Sequence, residues 1–126
     1  MIHGGGHIML SRKDIRPKQT AELLRLGFLP VSVDFRLCPE VDIQNGAMAD
    51  VRDAVQWARY QLPTLSIGRP DIKMDGNRLA VVGWSTGGTI AMTTAWTTVN
   101  AGLTPPDAIF ALYCPTDYED ECKCLL

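Results

Sequence analysis

The chain contains three short, mostly apolar runs that are typical of buried strands. These runs lie at Phe28–Phe35, Leu79–Val82 and Ala108–Tyr113. Each is short, apolar and bounded by residues that favour turns, as expected for strands of a covered sheet. Met1-Ile2 has the character of the last two residues of a further strand.

Helical spacing occupies the stretches between these runs. Apolar residues cluster on one side between Pro17 and Gly27, and they recur every three or four positions from Ala47 to Leu62 with charged residues between them. A segment of small and apolar residues after Gly88 is the third predicted helix. This alternation of strand and helix predicts an α/β fold with a parallel sheet covered by helices on both faces.

The stretch Gly83–Gly87 joins a predicted strand to a predicted helix and reads Gly-Trp-Ser-Thr-Gly. This is the G-x-S-x-G pattern in the strand–turn–helix context that a nucleophile elbow requires. The glycines keep Cβ atoms away from the crossing strand and helix, and the turn exposes Ser85 at the carboxyl end of the strand. An ordinary turn that happens to contain a serine is the alternative interpretation.

A second glycine-rich stretch, His3–His7, follows the first predicted strand residues and reads His-Gly-Gly-Gly-His. Consecutive glycines suit a loop that closely approaches a ligand, either a phosphate or the oxyanion of an acyl group. The chain lacks a G-K-[S/T] sequence, so a phosphate loop is the weaker interpretation. A His-Gly-Gly-Gly stretch upstream of G-x-S-x-G is the combination that forms esterase oxyanion holes.

Composition narrows the class of protein. The chain has 126 residues, 46% hydrophobic and 21% charged, with a net charge of −2, which fits one soluble cytoplasmic domain and gives no basic surface for nucleic acid. The uncharged stretch from Leu79 to Pro106 has a G-x-x-x-G spacing that also occurs in membrane helices. Gly102 and the Pro105-Pro106 pair interrupt it, so no membrane partner is expected.

The four cysteines do not indicate a disulfide framework or a metal site. Cys38, Cys114, Cys122 and Cys124 are widely or unsuitably spaced, and reduced thiols are the simpler interpretation. Cys122 and Cys124 have no paired cysteines or histidines elsewhere that would complete a zinc site. The sequence therefore predicts neither a metal nor a cofactor.

Together these motifs resemble the α/β-hydrolase superfamily, within its hormone-sensitive-lipase-like branch. His3–Gly6, the Asp34–Glu40 sequence DFRLCPE and Gly83–Gly88 correspond to that branch's HGGG, DYRLAPE and GDSAGG sequences. The sequences of these motifs are more similar still to those of the thioesterase or esterase domain of fungal non-reducing polyketide synthases. The resemblance extends to about Asp120.

The resemblance implies acyl transfer with Ser85 as the nucleophile and an oxyanion hole formed by Gly5, Gly6 and Thr86. It also implies a substrate pocket lined by His7, Trp84 and Asp117, whereas Arg36 and Glu40 would be structural. The implied substrate is an ester or thioester of an acyl group, either a free small molecule or one attached to a carrier protein. Such chemistry needs no cofactor and no metal.

The general base is the open question. In this fold the acid and the histidine follow the serine, but the only two histidines are His3 and His7. His3 is expected to orient the glycine loop, and His7 to line the pocket or to substitute as the base. We therefore expect residues 1–126 to be one incomplete α/β-hydrolase domain, with 119–126 as a tail unlike the native fold. Two hypotheses follow: a serine esterase or thioesterase whose isolated chain is inactive, and a non-catalytic remnant that binds acyl groups or a partner.

Overall fold

The computed structural model describes residues 1–14 and 16–117. Its regular elements are α-helices and β-strands, and a π-helical turn at Gln44–Met48 and a 3₁₀ turn at Leu62–Thr64 flank the second helix. The elements are α1 (Pro17–Arg25), α2 (Ala49–Tyr60), β1 (Ala80–Trp84), α3 (Thr86–Asn100) and β2 (Ala108–Leu112). Within the described residues, no helix is both long and apolar enough to cross a bilayer. The predicted α/β class is confirmed.

A parallel sheet forms the centre of the molecule. Strands β1 and β2 pair in register from Ala80 opposite Ala108 to Trp84 opposite Leu112. Ile2 lies on the other side of β1 and makes parallel bridges to both Gly83 and Val33. Its N–H donates to the Val82 carbonyl at 2.7 Å. The first residues therefore occupy the position between β1 and the Val33 stretch.

The prediction of a strand over Phe28–Phe35 is wrong. Within the stretch only Val33 forms a bridge, and its single neighbour is Ile2. The Val33 N–H donates to the Met1 carbonyl at 3.3 Å, and the amino group of Met1 donates to the Val31 carbonyl at 2.7 Å. A strand needs a paired neighbour along its length, and Met1 and Ile2 offer only these positions.

Helix α1 begins and ends as the sequence indicates. Pro17 occupies the first turn, where its missing N–H costs nothing. Gly27 adopts φ +83°, and the Phe28 N–H donates to the Leu23 carbonyl at 2.9 Å. This is a Schellman closure, which favours glycine because of its left-handed backbone. No residue of α1 is fully buried.

The core lies between the sheet and helices α2 and α3. Val51 and Val55 come from α2, and Ile90 and Ala91 come from α3. They pack with Ile2, Phe35, Ala47 and Val81 into one cluster in which every member is buried. The helical spacing from Ala47 onward therefore presents its apolar positions to the sheet, as predicted.

One charged residue of α2 departs from the expected polar face. Arg59 is buried, with its side chain only 5% exposed. Its guanidinium donates to the Gly76 and Pro105 carbonyls at 3.0 and 2.7 Å and lies 3.1 Å from an Asp107 oxygen. The same Asp107 oxygen accepts the Leu79 N–H at 2.8 Å. Arg59 thus ties together the amino ends of β1 and β2, which a spacing argument on α2 alone does not reveal.

Candidate active site

Ser85 occupies a strained turn between β1 and α3. Its backbone angles are φ +53° and ψ −132°, a region that residues other than glycine rarely adopt. The turn is tight because Gly83 and Gly87 meet: a Cβ on Gly83 would strike the Gly87 carbonyl. The Ser85 carbonyl accepts the N–H groups of Gly88 and Thr89, and the Ser85 N–H donates to the Leu112 carbonyl at 3.0 Å. The serine is therefore held in place from both sides.

The glycine-rich stretch lies directly against this turn. A Cβ on Gly4 would lie 3.0 Å from the Ser85 Cβ and 3.7 Å from the Ser85 Oγ. On the other side, a Cβ on Gly87 would collide with the carbonyl oxygens of His3 and Ile2. Two segments separated by about eighty positions therefore meet at backbone distance. Only residues without a side chain permit this approach.

The stretch Gly4–His7 folds back on itself as a compact bend. Gly5, Gly6 and His7 have φ values of +104°, +64° and +65°. The Gly5 carbonyl accepts the N–H groups of the next turn, Ile8 and Met9, both at 3.1 Å. We call Gly4–His7 the glycine bend. Three consecutive positive φ values produce this tight reversal, in which Gly5 lies so close to Met9 that a Cβ on Gly5 would strike the Met9 carbonyl.

His3 supports this bend and is not placed as a general base. The ring is 2% exposed and stacks on Phe35 with centroids 4.3 Å apart and planes 10° apart. Its Nδ1 lies 2.8 Å from the Gly4 carbonyl oxygen. A buried ring held between an aromatic face and the backbone fixes the orientation of the bend, as the resemblance implies.

His7 is buried at the other end of the glycine bend. Its carbonyl accepts the Cys38 N–H at 2.8 Å, which joins the bend to the Asp34–Glu40 segment. Burial lowers the pKa of His7 below its ordinary value. The imidazole is therefore neutral at pH 7, which is the form that lines an apolar pocket or accepts a proton.

The remaining predicted site residues have different surroundings. Thr86 is buried and opens α3, so its N–H belongs to the first turn, whose N–H groups have no partner within the helix. Trp84 is 3% exposed at the end of β1. Asp117 is exposed and is the last described residue. The predicted tail from 119 lies outside the described residues.

Arg16 lies near the turn and had no functional signal in the sequence. The guanidinium of Arg16 lies 5.2 Å from the centroid of the Trp84 ring and 5.7 Å from that of Tyr113, and it donates to the Tyr113 hydroxyl. Arg16 precedes α1 and shows no pattern that distinguishes it from other surface arginines. Only the three-dimensional structure shows this cation between two rings at the carboxyl ends of β1 and β2.

The Asp34–Glu40 segment is anchored to α2 through Arg36. Its side chain forms a two-point ion pair with Asp50, with Nη2–Oδ1 at 2.8 Å and Nε–Oδ2 at 3.0 Å. The Arg36 backbone N–H also donates to Asp50 at 2.8 Å. The hydrogen bonds from the Arg36 side chain, followed by the backbone one, hold the pKa of Asp50 below its usual value.

Asp50→Asn is expected to lower the melting temperature at pH 7 by roughly 4 °C, because Arg36 then loses a charged acceptor. Arg36 is 58% exposed, so solvent screening limits the effect. A carboxylate with a depressed folded pKa stabilises the fold above the unfolded pKa of about 3.9, and this is lost as the pH falls through the folded pKa. The difference in melting temperature from wild type should therefore shrink in thermal scans as the pH falls below about 3.9 and through the folded pKa.

The matched control is Asp71→Asn, which breaks an exposed pair with Arg69 whose side chains are 61% and 63% exposed. It should leave the melting temperature unchanged, because exposed pairs contribute little. A difference in melting temperature between Asp50→Asn and wild type that stays constant between pH 7 and pH 2.5 would contradict a stabilising role for the Asp50 carboxylate.

No metal is suggested by the described residues. Within residues 1–14 and 16–117, no group of three histidine, cysteine or acidic side chains is arranged to hold an ion. Cys38 and Cys114 are free thiols there.

Comparison with known proteins decides the family. A family described by the alpha/beta hydrolase fold matches residues 1–123. The chain belongs to the α/β-hydrolase fold family.

The curated relatives of this α/β hydrolase are much longer proteins. It is 66% identical over 120 residues to the non-reducing polyketide synthase pkbA of Emericella nidulans, covering 95% of this chain and 5% of that protein. It is 62% identical over 120 residues to the non-reducing polyketide synthase mapC of Penicillium roqueforti, with the same coverages. It is 60% identical over 121 residues to the 5-methylorsellinic acid synthase of Aspergillus terreus, covering 96% and 5%. The chain thus spans about 5% of the length of these relatives. No solved structure matches it.

Proposed function

We propose that the chain is an acyl-transfer module of the serine hydrolase type, with Ser85 as the nucleophile. The observation that carries this proposal is the close approach of the glycine bend to the strained Ser85 turn, where a Cβ added to Gly4 would lie 3.0 Å from the Ser85 Cβ. A strained backbone conformation at a serine costs free energy and persists only where the surrounding fold requires it. Gly5, Gly6 and Thr86 are the proposed oxyanion donors, because their N–H groups belong to the two backbone segments that meet there.

The proposed reaction proceeds through an acyl-enzyme. The Ser85 Oγ forms a bond to the carbonyl carbon, whose oxygen takes the negative charge and accepts the donor N–H groups. The tetrahedral adduct then breaks its C–O or C–S bond. The serine proton leaves with the alcohol or thiol, and the acyl group stays on Ser85. Each donor contributes about 3–4 kcal/mol to such a transition state.

The proposed substrate is an ester or thioester of a polyketide-type acyl group. The relatives carry the names polyketide synthase and 5-methylorsellinic acid synthase, and the chain's fold family is that of hydrolases. An acyl group of that kind would reach Ser85 as a free small molecule or attached to a carrier protein. His7, Trp84 and Asp117 are the proposed pocket residues around it.

A second candidate function is acyl binding without turnover. The observation that favours it is the placement of His3, whose ring stacks on Phe35 and whose Nδ1 faces the Gly4 carbonyl. His7 is the other histidine of the 126 residues. Serine attack without a base loses on the order of a million-fold in rate in a measured triad. In this case the chain would bind acyl groups and accept them only from activated reagents.

Labelling with a fluorophosphonate probe tests the nucleophile. We expect the adduct on Ser85 in the folded chain, located by peptide mass spectrometry, and none in Ser85→Ala. Ser66→Ala, at an exposed loop serine, should label like wild type. Unlabelled Ser85 in well-folded protein would refute the nucleophile assignment. Steady turnover of p-nitrophenyl esters that Ser85→Ala abolishes would exclude the second candidate, and a single stoichiometric release of nitrophenol would support it.

A further inference from the structure

A cavity of about 670 Å³ opens beside the amino-terminal half of β1. Its walls are β1 with the residues before it, the Phe28–Val31 stretch, residues of α2 and the end of α1, and Met1 and Ile2 also line it. We call it the β1 cavity. Its volume lies within the range of ~300–1,000 Å³ that is typical of ligand sites. Among the described residues, neither Ser85 nor the glycine bend lines it, so it is separate from the candidate active site.

The backbone of β1 has unpaired groups on the side that faces this cavity. On that side, the Ile2 N–H donates to the Val82 carbonyl at 2.7 Å, and the Trp84 N–H donates to the Ile2 carbonyl at 3.4 Å. Backbone groups of alternate residues point to the same side of a strand, so the Val82 N–H and the Ala80 carbonyl also point there. In the part of the chain that the structure describes, Ile2 is the one residue that pairs with β1 on this side. These two groups are therefore open to a ligand.

The Phe28–Val31 wall offers a second pair of backbone groups. The Met1 amino group donates to the Val31 carbonyl at 2.7 Å, and the Val33 N–H donates to the Met1 carbonyl at 3.3 Å. This is the pattern of a parallel ladder. One further step of the same ladder would use the Val31 N–H and the Leu29 carbonyl, and neither has a backbone partner within residues 1–14 and 16–117.

Apolar side chains from two helices complete the cavity. Val51 and Val55 come from α2, and Leu23 and Leu24 come from α1. A parallel strand that is buried between helices is a near-continuous run of apolar residues, because neither of its faces meets water. The side chains around the β1 cavity thus suit such a run, and its two backbone walls supply the hydrogen bonds that a strand requires.

Charge enters the cavity from the residues that precede β1. Lys73, Asp75 and Arg78 are the charged side chains among its lining residues, with one more positive than negative charge. The Met1 amino group lies beside Ile2, and burial lowers its pKa to about 6, so most of it is neutral at pH 7. A strand parallel to β1 would therefore begin beside positive charge and end on a surface with little charge.

We propose that the β1 cavity binds an extended apolar peptide strand that lies parallel to β1 and pairs with both walls. The fitting segment is an uncharged run of about four residues, each spanning ~3.3 Å, preceded by acidic residues. Main-chain hydrogen bonds would give affinity and the apolar walls specificity. A small apolar ligand would leave the four backbone groups unpaired. Strand β2 of a second copy is already paired with β1 along one edge, so it cannot pair on both sides.

The peptide Glu-Glu-Gly-Val-Ile-Val-Val tests this proposal on the 126-residue chain. We expect saturable binding that slows hydrogen exchange of the Val82 and Val31 amides by about tenfold or more, measured by NMR, and raises the melting temperature. The same peptide built from D-amino acids has equal hydrophobicity but the opposite twist. It should leave the exchange of both amides unchanged.

Phe28→Thr removes an exposed apolar side chain from the cavity wall, and Phe110→Thr is the matched control outside it. The two rings are 50% and 60% exposed, so neither change disturbs the buried core. Phe28→Thr should weaken peptide binding about fivefold or more, and Phe110→Thr should bind as wild type does. Equal binding of the D-peptide, equal binding by the two variants, or unchanged exchange at Val82 and Val31 would overturn the proposal. Protection of these amides in the free chain that is lost on dilution would assign the cavity to a second copy and would also overturn it.

Discussion

Gly87→Ala is expected to destabilise the protein by about 3 kcal/mol or more and to lower its melting temperature by more than about 10 °C. The added Cβ would collide with the carbonyl oxygens of His3 and Ile2. Both obstacles are backbone atoms of a segment that pairs with β1, so neither can rotate away as a side chain could. The glycine bend and the serine turn would have to separate.

The sign of the change in stability distinguishes the steric effect of the added Cβ from the effect of helix propensity. Gly87 lies within α3, where alanine is favoured over glycine by about 1 kcal/mol, so helix propensity alone predicts stabilisation. Gly68→Ala is the reverse case: φ is +73° but no atom lies within 4 Å of the new Cβ, so only backbone strain of about 1–2 kcal/mol applies. Thermal unfolding of both variants should show the larger loss at position 87. A Gly87→Ala protein as stable as wild type would refute the close approach of the Ile2 and His3 backbone to the start of α3.

The periodicity of apolar residues predicts the general architecture because the residues at the periodic positions form the core. Val51 and Val55 recur one helical turn apart on α2 and are both buried, and short apolar runs become β1 and β2. The Phe28–Phe35 stretch has the same apolar character, yet pairs only at Val33. Strand formation depends on a neighbour with free backbone groups, and residue pattern carries no information about which neighbours are available.

The site could be predicted where glycine spacing determines the backbone. Gly83 and Gly87 indicate a close crossing, and the structure shows that crossing in the blocked Cβ positions. Arg16 between Trp84 and Tyr113 and the burial of Arg59 could not be predicted in this way. Each results from long-range contacts of an arginine side chain, whose partners have no fixed spacing in sequence.

Gly5→Ala is expected to slow acylation of Ser85 by fluorophosphonate about a hundredfold, the loss expected when one oxyanion donor is displaced. Gly5 has φ +104°, and a Cβ there would strike the Met9 carbonyl, so alanine cannot retain this backbone. Gly6→Ala is the matched comparison. Its φ of +64° lies in the left-handed region that alanine can adopt at modest cost, and the nearest atom to the new Cβ, on Ile8, is 3.8 Å away.

The glycine bend should therefore keep its conformation in Gly6→Ala and lose it in Gly5→Ala. We expect Gly6→Ala to lose less than about tenfold in the pseudo-first-order labelling rate, measured well below the melting temperature of each variant, with Ser85→Ala as the background. If the backbone N–H groups of the glycine bend are the donors, the labelling rate should depend on whether the bend keeps its conformation. Each variant loses one glycine, so the number of glycines does not distinguish them. Equal rates for the two variants would mean that the bend does not hold the developing negative charge, and the oxyanion assignment of Gly5 and Gly6 would have to be abandoned.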